Sequence, residues 1–382
     1  MRILMATTKL YPPQFYGGAE MSTHSMTLML RDKGHDVAVV AGLSSRGFLR
    51  IRNRVASKLR SRTAFPEDTV LGYPVYRGWE PCQAVEEVVE RFSPDVVLAQ
   101  SGEVVAIASK FVSAGVPVCV FLRHTHYDSL GGIPEQSPGL TYIANSRFTA
   151  DRYKTDFGLN CGVMTPLVIP DLYRTVSDKT RVVYINANPV KGAGLVLELA
   201  GLRPDIPFDI VESWTLPDWM TEDLRRTASQ LPNVRWLKAR SDMREIYSRA
   251  KVLLAPSGVG HPEWIEAWGR VATEAQVSGI PVLASNSGGL PESVGPGGII
   301  LDTQAPVEEW LSALARLWDE PDEYEAYSEA ALQHSLRDEI NPKWQIDKVI
   351  QYLDGWTSNQ KRECTPLVDG SCGLSKLEPS RH

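Results

Sequence analysis

Cysteine is scarce in this 382-residue chain. Five stand scattered (Cys82, Cys119, Cys161, Cys364 and Cys372), odd in number and with no Cys-x-x-Cys pair. That excludes a disulfide framework and a cysteine-built zinc site, and fits reduced thiols in a cytoplasm. Long apolar runs are missing too: no segment approaches the roughly 18 residues of a membrane-spanning helix. The opening "MRILMATTKLYPP" reads as a buried strand, without the longer apolar core and small-residue cleavage site of a signal peptide. Basic excess is absent. The net charge of −6 argues against general nucleic-acid binding, which needs a basic domain. There is no G-x-G-x-x-G, and the second expected strand runs into "AGLSS" (41–45) with no acid, so a nicotinamide dinucleotide site is not expected. No Asp-x-Asp occurs anywhere.

What is present is a soluble globular composition, 43% hydrophobic and 23% charged. The length suits two domains rather than one core. Strand and helix signals alternate throughout, the pattern of doubly wound parallel sheets. Buried strands are expected at 2–7, 36–42, 96–100, 117–123 and 140–146, then at 181–186, 208–213, 234–238, 251–257, 280–285 and 297–302. The pattern breaks near "PLVIPDLYRTVSDKT" (166–180). The expected organisation is thus an α/β domain over 1–170 and a second over 171–341. A final helix at 342–356 packs back on the first, and a tail at 357–382 without periodicity reads as disordered. The crevice at the carboxyl ends of both sheets is the expected ligand site.

One segment stands apart. "RGFLRIRNRVASKLRSR" (46–62) carries seven basic residues and no acid. Phe48, Ile51, Val55 and Leu59 recur at helical spacing, so a helix there would oppose an apolar face to a cationic one. Three readings stay open: contact with an anionic membrane, contact with an anionic soluble acceptor, or a mobile cationic loop.

Most of the chemistry is expected between 251 and 302. The strand "KVLLAPS" delivers the chain to the loop "GVGHPEWIEAWG", and a helix runs from near Gly269 to Gly279. Glu266 falls on the loop and Glu274 inside the helix, so both carboxylates can point into one crevice. The N–H groups of Ala267, Trp268, Gly269 and Arg270 lie at the helix start, where free donors and the dipole suit a phosphate or a sugar hydroxyl. "SNSGGLPE" repeats the device after the next strand, with Gly288 and Gly289 allowing close backbone approach and Glu292 following.

This order of strand, glutamate, seven residues, glutamate, "GIPVLAS" and Gly-Gly-x-Pro-Glu resembles family 4 of the retaining glycosyltransferases, the glycosyl transferases group 1. The resemblance spans residue 1 to about 356. It implies the GT-B fold, two Rossmann-like domains facing each other over a cleft, with the first binding the acceptor and the second a nucleotide sugar. It implies that Glu266 contacts hydroxyls of the transferred sugar and Glu274 the ribose of the nucleotide. Lys191, in "NANPVKGAGL" (186–195), matches the lysine on the donor diphosphate. The arginine usual five residues earlier is replaced by Asn186, and Arg270 is a candidate for the missing charge. In the first domain the resemblance carries Gly17 and Gly18 to the loop between donor phosphates and acceptor, with Glu20 at lower weight. A histidine beside the reacting carbon is carried to His124 in "FLRHTHYD" (121–128), with His126 as runner-up.

The implied reaction moves a sugar from a nucleoside diphosphate to a hydroxyl with retention, and His124, Glu266 and Lys191 are its expected catalytic residues. The implied route is same-face, the leaving diphosphate taking the acceptor's proton. No cofactor beyond the sugar nucleotide is expected, and with no Asp-x-Asp the enzyme is expected to be metal-independent. Its place is expected in the cytoplasm or peripherally on the inner membrane face. The alternative is a nucleotide-sugar epimerase of the same fold; a non-catalytic binding protein and a dehydrogenase are weaker rivals.

Overall fold

The computed structural model describes residues 1–45, 47–49, 51, 52, 65–212 and 218–363. Its first sheet comprises β1 (Arg2–Leu10), β2 (Asp36–Gly42), β3 (Glu67–Asp68), β4 (Val75–Gly78), β5 (Val96–Gln100), β6 (Val118–Leu122), β7 (Leu140–Ala144) and β8 (Gly162–Val163). They lie in the order β3-β4-β2-β1-β5-β6-β7-β8, parallel except where β3 meets β4. The second sheet is built from β9 (Arg181–Ile185), β10 (Phe208–Val211), β11 (Val234–Leu237), β12 (Ala250–Ala255), β13 (Val282–Ser285) and β14 (Gly298–Leu301). Its order, β11-β10-β9-β12-β13-β14, is the 3-2-1-4-5-6 winding of a Rossmann sheet. Both sheets are covered by helices on two faces, which is why their strands read as unbroken apolar runs.

The strands expected from apolar runs are all present, within a few residues at their ends. β3, β4 and β8 carried no such signal. β3 and β8 are two residues each, and β4 (VYRG) contains a charge, Arg77, that disguises a buried strand. That side chain is fully buried and ion-paired with Asp68 at 2.7 Å. Its remaining nitrogens donate to the carbonyls of Tyr11 (3.1 Å) and Pro12 (2.6 Å), so it pins the loop that leaves β1 toward the cleft.

The last helix, Pro342–Glu363, returns to the first domain. Ile346, Val349 and Leu353, spaced by three and four, are buried in one cluster with Ile3, Met5, Met164 and Leu167. Each such burial contributes about 1.5–3 kcal/mol. The helix runs past 356, so its first seven residues beyond the expected boundary belong to it rather than to a disordered tail; 364–382 lies outside the described residues. Of the basic segment, Leu49 is buried while Phe48 and Ile51 stand exposed at 74% and 65%; positions 46, 50 and 53–62 lie outside the described residues.

Truncating Arg77 to Ala leaves Asp68 buried without its partner and should cost about 3–5 kcal/mol. Urea unfolding checks this, and the double change Arg77→Met with Asp68→Leu, which removes both charges, should recover most of the loss.

Candidate active site

The switch point of each sheet, where strand order reverses, falls between β1 and β5 and between β9 and β12. The loops leaving those four strands, and the one leaving β6, converge on a cavity of about 590 Å³. Lys9, Ser101 and His124 line it from the first domain, and Lys191, Trp264 and Glu266 from the second. The cavity is therefore shared between the domains.

On the second-domain wall, β9 ends in a short turn, Pro189–Lys191, whose start is capped by the Asn188 side chain accepting from the Val190 N–H at 3.2 Å. That turn presents Lys191, whose ammonium is ion-paired with Glu266 and lies 4.8 Å from the centre of the Trp264 ring. Glu266 is itself held from three sides. Its carboxylate accepts from the Ser257 hydroxyl (3.3 Å), its N–H donates to the Ser287 hydroxyl (3.1 Å), and its carbonyl accepts from the Gly289 N–H (2.7 Å). Gly288 sits in the left-handed region, φ +57°, and a Cβ there would collide with the Glu266 carbonyl. The Gly-Gly pair thus packs against the loop that carries Glu266. Asn186, also left-handed at φ 75°, is buried, and its Oδ1 has no partner among the described residues.

Glu274 lies in the helix Arg270–Gln276 behind Gly269, whose own φ is +84°. Its carboxylate takes Arg270 at 2.7 Å and the Tyr247 hydroxyl at 3.0 Å. Burial pushes its pKa up, and Arg270 and Tyr247 pull against that shift. Arg270 also donates to the carbonyl of Gly18 (2.7 Å) and to the hydroxyl of Tyr173 (2.6 Å). The guanidinium expected on the phosphates is instead a bridge between the domains and does not line the cavity. Trp268 is buried, its indole donating to Thr273 at 3.1 Å, so its side chain belongs to the core; Ala267 lines the cavity.

On the first-domain wall, Gly17 caps the helix α1 (Gly18–Asp32), and a Cβ on Gly17 would strike the carboxylate of Glu20 in that helix's first turn. Glu20 is buried, which raises its pKa. His124 faces the cavity with His126 beside it, ring centres 6.1 Å apart, and His126 lies 5.1 Å from Trp264 across the cleft. The Tyr153 hydroxyl donates to the His124 carbonyl at 3.0 Å. Nδ1 of His124 and Nε2 of His126 have no partner among the described residues. Glu292 ties the two domains together. Its carboxylate accepts from the N–H groups of Arg147 (2.9 Å) and Phe148 (2.7 Å), capping the helix Arg147–Phe157 of the opposite domain. Among the described residues no group of His, Cys, Asp and Glu is disposed to hold a metal ion, and no helix is long and apolar enough to cross a membrane.

Known proteins agree with this architecture. Residues 16–165 match the family Glycosyltransferase Family 4, and residues 174–334 match Glycosyl transferases group 1. The chain belongs to the family 4 glycosyltransferases of GT-B fold. It is 38% identical over 120 residues to a D-inositol 3-phosphate glycosyltransferase of Corynebacterium kroppenstedtii, 30% of this chain and 25% of that one. The match thus spans about a quarter of that relative's length. A GDP-mannose-dependent monoacylated alpha-(1-6)-phosphatidylinositol monomannoside mannosyltransferase of Corynebacterium glutamicum is 27% identical over 337 residues, 76% of this chain and 86% of that one. Among solved structures, Anabaena HepE in complex with UDP-glucose superposes with a TM-score of 0.70 at 17% identity, covering 93% of this chain and 100% of that one. A glycosyltransferase from Rickettsia africae gives 0.69 at 14%, covering 94% and 99%. At such identities the structures show the shared fold.

In this family 4 chain the cavity collects Lys191, Glu266, Ala267 and His124, while Glu274, Trp268 and Arg270 stand behind that wall. Sequence reasoning missed Lys9, Arg123 and Trp264 at the cavity, and Tyr173 and Tyr247 around Glu274. Lys9 and Arg123 stand at or just beyond strand ends and Trp264 in the loop beyond β12, while Tyr173 lies in the interdomain segment and Tyr247 ends the short helix Arg244–Tyr247.

Burial, with His126 and Lys9 nearby, pushes the His124 imidazole down to about 4 from its ordinary 6.5. It is neutral at pH 7. The unfolded chain binds that proton more readily, so stability should fall as pH drops from about 6.5 toward 4, by roughly 3 kcal/mol for this group. Urea midpoints at pH 7 and pH 5 should differ less in His124→Asn than in the native chain; an equal difference would contradict a depressed His124.

Proposed function

We propose that the chain transfers a sugar from a nucleoside diphosphate sugar to a hydroxyl acceptor, with retention at the anomeric carbon and without a metal ion. The observation that carries this is the Lys191–Glu266 pair at the second sheet's switch point, facing a neutral histidine across the shared cavity. A diphosphate entering beside Lys191 offers it a stronger partner than one carboxylate, and frees Glu266 to accept hydrogen bonds from sugar hydroxyls. Glu274, held behind Gly269 by Arg270 and Tyr247, is the acid we assign to the ribose hydroxyls. His124, neutral and with a free ring nitrogen, can bond the sugar without adding charge. The leaving diphosphate then takes the acceptor's proton on the face it departs from. Positioning and charge stabilisation do the catalytic work.

The relative matched over 86% of its length is named as a GDP-mannose-dependent mannosyltransferase, the one matched over 25% as a D-inositol 3-phosphate glycosyltransferase, and HepE was solved with UDP-glucose. They support a sugar nucleotide as the donor class here. Exposed Phe48 and Ile51, within a run rich in arginine, support peripheral contact with an anionic membrane, where each cation contributes on the order of 1 kcal/mol. The cell's inner membrane face is the proposed place of work.

Thermal denaturation with a panel of nucleoside diphosphates tests the donor site. A ligand at 100 times its dissociation constant adds about 2.7 kcal/mol of stability. One nucleotide should stabilise equally with and without EDTA, and Glu274→Gln should weaken it about tenfold by removing a charged acceptor. Stabilisation abolished by EDTA would contradict metal independence. Turnover should survive Glu20→Gln, because the diphosphate is the base; a sugar trapped covalently on Glu20 would replace the same-face route by double displacement.

A further inference from the structure

Arg123, at the carboxyl end of β6, is a partly buried guanidinium with no acid bound to it among the described residues. It donates to the Gln100 side chain at 2.6 Å and reaches the Ala19 carbonyl at 3.4 Å. Its plane stacks 4.2 Å from the centre of the Phe121 ring, and its Nε has no partner among the described residues. Desolvation draws its pKa down to about 10, against the pull of Glu20. A cation held this way is costly unless an anion comes to it. Lys9, exposed at the end of β1, lines the same cavity and makes no ion pair among the described residues.

The ionisable side chains of the cavity leave a positive excess on this wall. Lys191 and Glu266 satisfy each other. That leaves Lys9 and Arg123 against the single carboxylate of Glu20. Across the cleft, Asn186 stands where the family resemblance leads one to expect an arginine, and Arg270 is occupied by Glu274, Gly18 and Tyr173. The charge missing from the second domain has a counterpart on the first.

We propose that Lys9 and Arg123 form a phosphate subsite on the first-domain wall, so that a phosphate is gripped from both domains. This rests on the reading of the cleft as a glycosyl-transfer site. The phosphate is either that of the donor's diphosphate or one carried by the acceptor, and binding experiments separate the two.

Isothermal titration of the full chain with inorganic phosphate, UDP and GDP, repeated for Lys9→Met and Arg123→Gln, tests it. Loss of one charge-assisted contact should weaken inorganic phosphate about tenfold in either variant. Lys9 is exposed, so its variant reports binding without disturbing the fold; melting temperatures check both. If the donor supplies the phosphate, the nucleoside diphosphate competes with inorganic phosphate, and the variants weaken it while leaving the bare nucleoside unaffected. If the acceptor supplies it, inorganic phosphate binds alongside saturating nucleotide, whose affinity the variants leave unchanged. Phosphate and nucleotide affinities both unaltered in the two variants would overturn the subsite. A native chain that binds phosphate through these residues but neither UDP nor GDP would keep the subsite and remove the glycosyl-transfer reading.

Discussion

One guanidinium holds the two halves of this protein in register. Arg270 begins the helix that carries Glu274, and it bonds that carboxylate, the Tyr173 hydroxyl in the segment joining the domains, and the Gly18 carbonyl in the first turn of α1. The helix behind the second-domain wall, the interdomain segment and the glycine loop of the first-domain wall thus meet at one side chain. A planar fork does this because its donors are spread over three nitrogens in a fixed geometry. Glu292 adds a second tie by capping the helix Arg147–Phe157 across the interface.

With the frame held, charge decides what the cavity can take. Lys191 and Glu266 are matched in the absence of ligand, which keeps two partly buried charges compatible with a stable fold. The same pairing means that a ligand must offer both a better anion and a set of hydroxyls. A sugar nucleotide offers both. The first-domain wall adds Lys9 and Arg123 beside a neutral His124, and that excess suits a phosphate more than a second carboxylate.

Much of this was legible in the sequence, for identifiable reasons. Strands buried on both faces announce themselves as apolar runs, so both sheets were readable. Glu266 and Glu274 stood out because their spacing and the surrounding glycines follow from local geometry. The illegible parts depend on contacts far apart in the chain. Arg77 looked like a break in a strand because its partners Asp68, Tyr11 and Pro12 come from other segments. Arg270 looked free for phosphate because Gly18 lies in the other domain. The capping role of Glu292 was hidden because the helix end it caps begins at Arg147, in the other domain. Gly288 and Gly289 read as sites where backbone would approach a ligand; in the structure the backbone of 266–267 packs against them.

In the reaction proposed for this cleft the diphosphate leaves and the acceptor attaches on the same face of the sugar ring. The decisive measurement is proton NMR of the first sugar released when an α-linked nucleotide sugar that stabilises the protein is turned over slowly with water as acceptor, read before mutarotation. Retention predicts that the α-anomer appears first. Initial release of the β-anomer would contradict it and require inversion, with a general base on the opposite face of the ring.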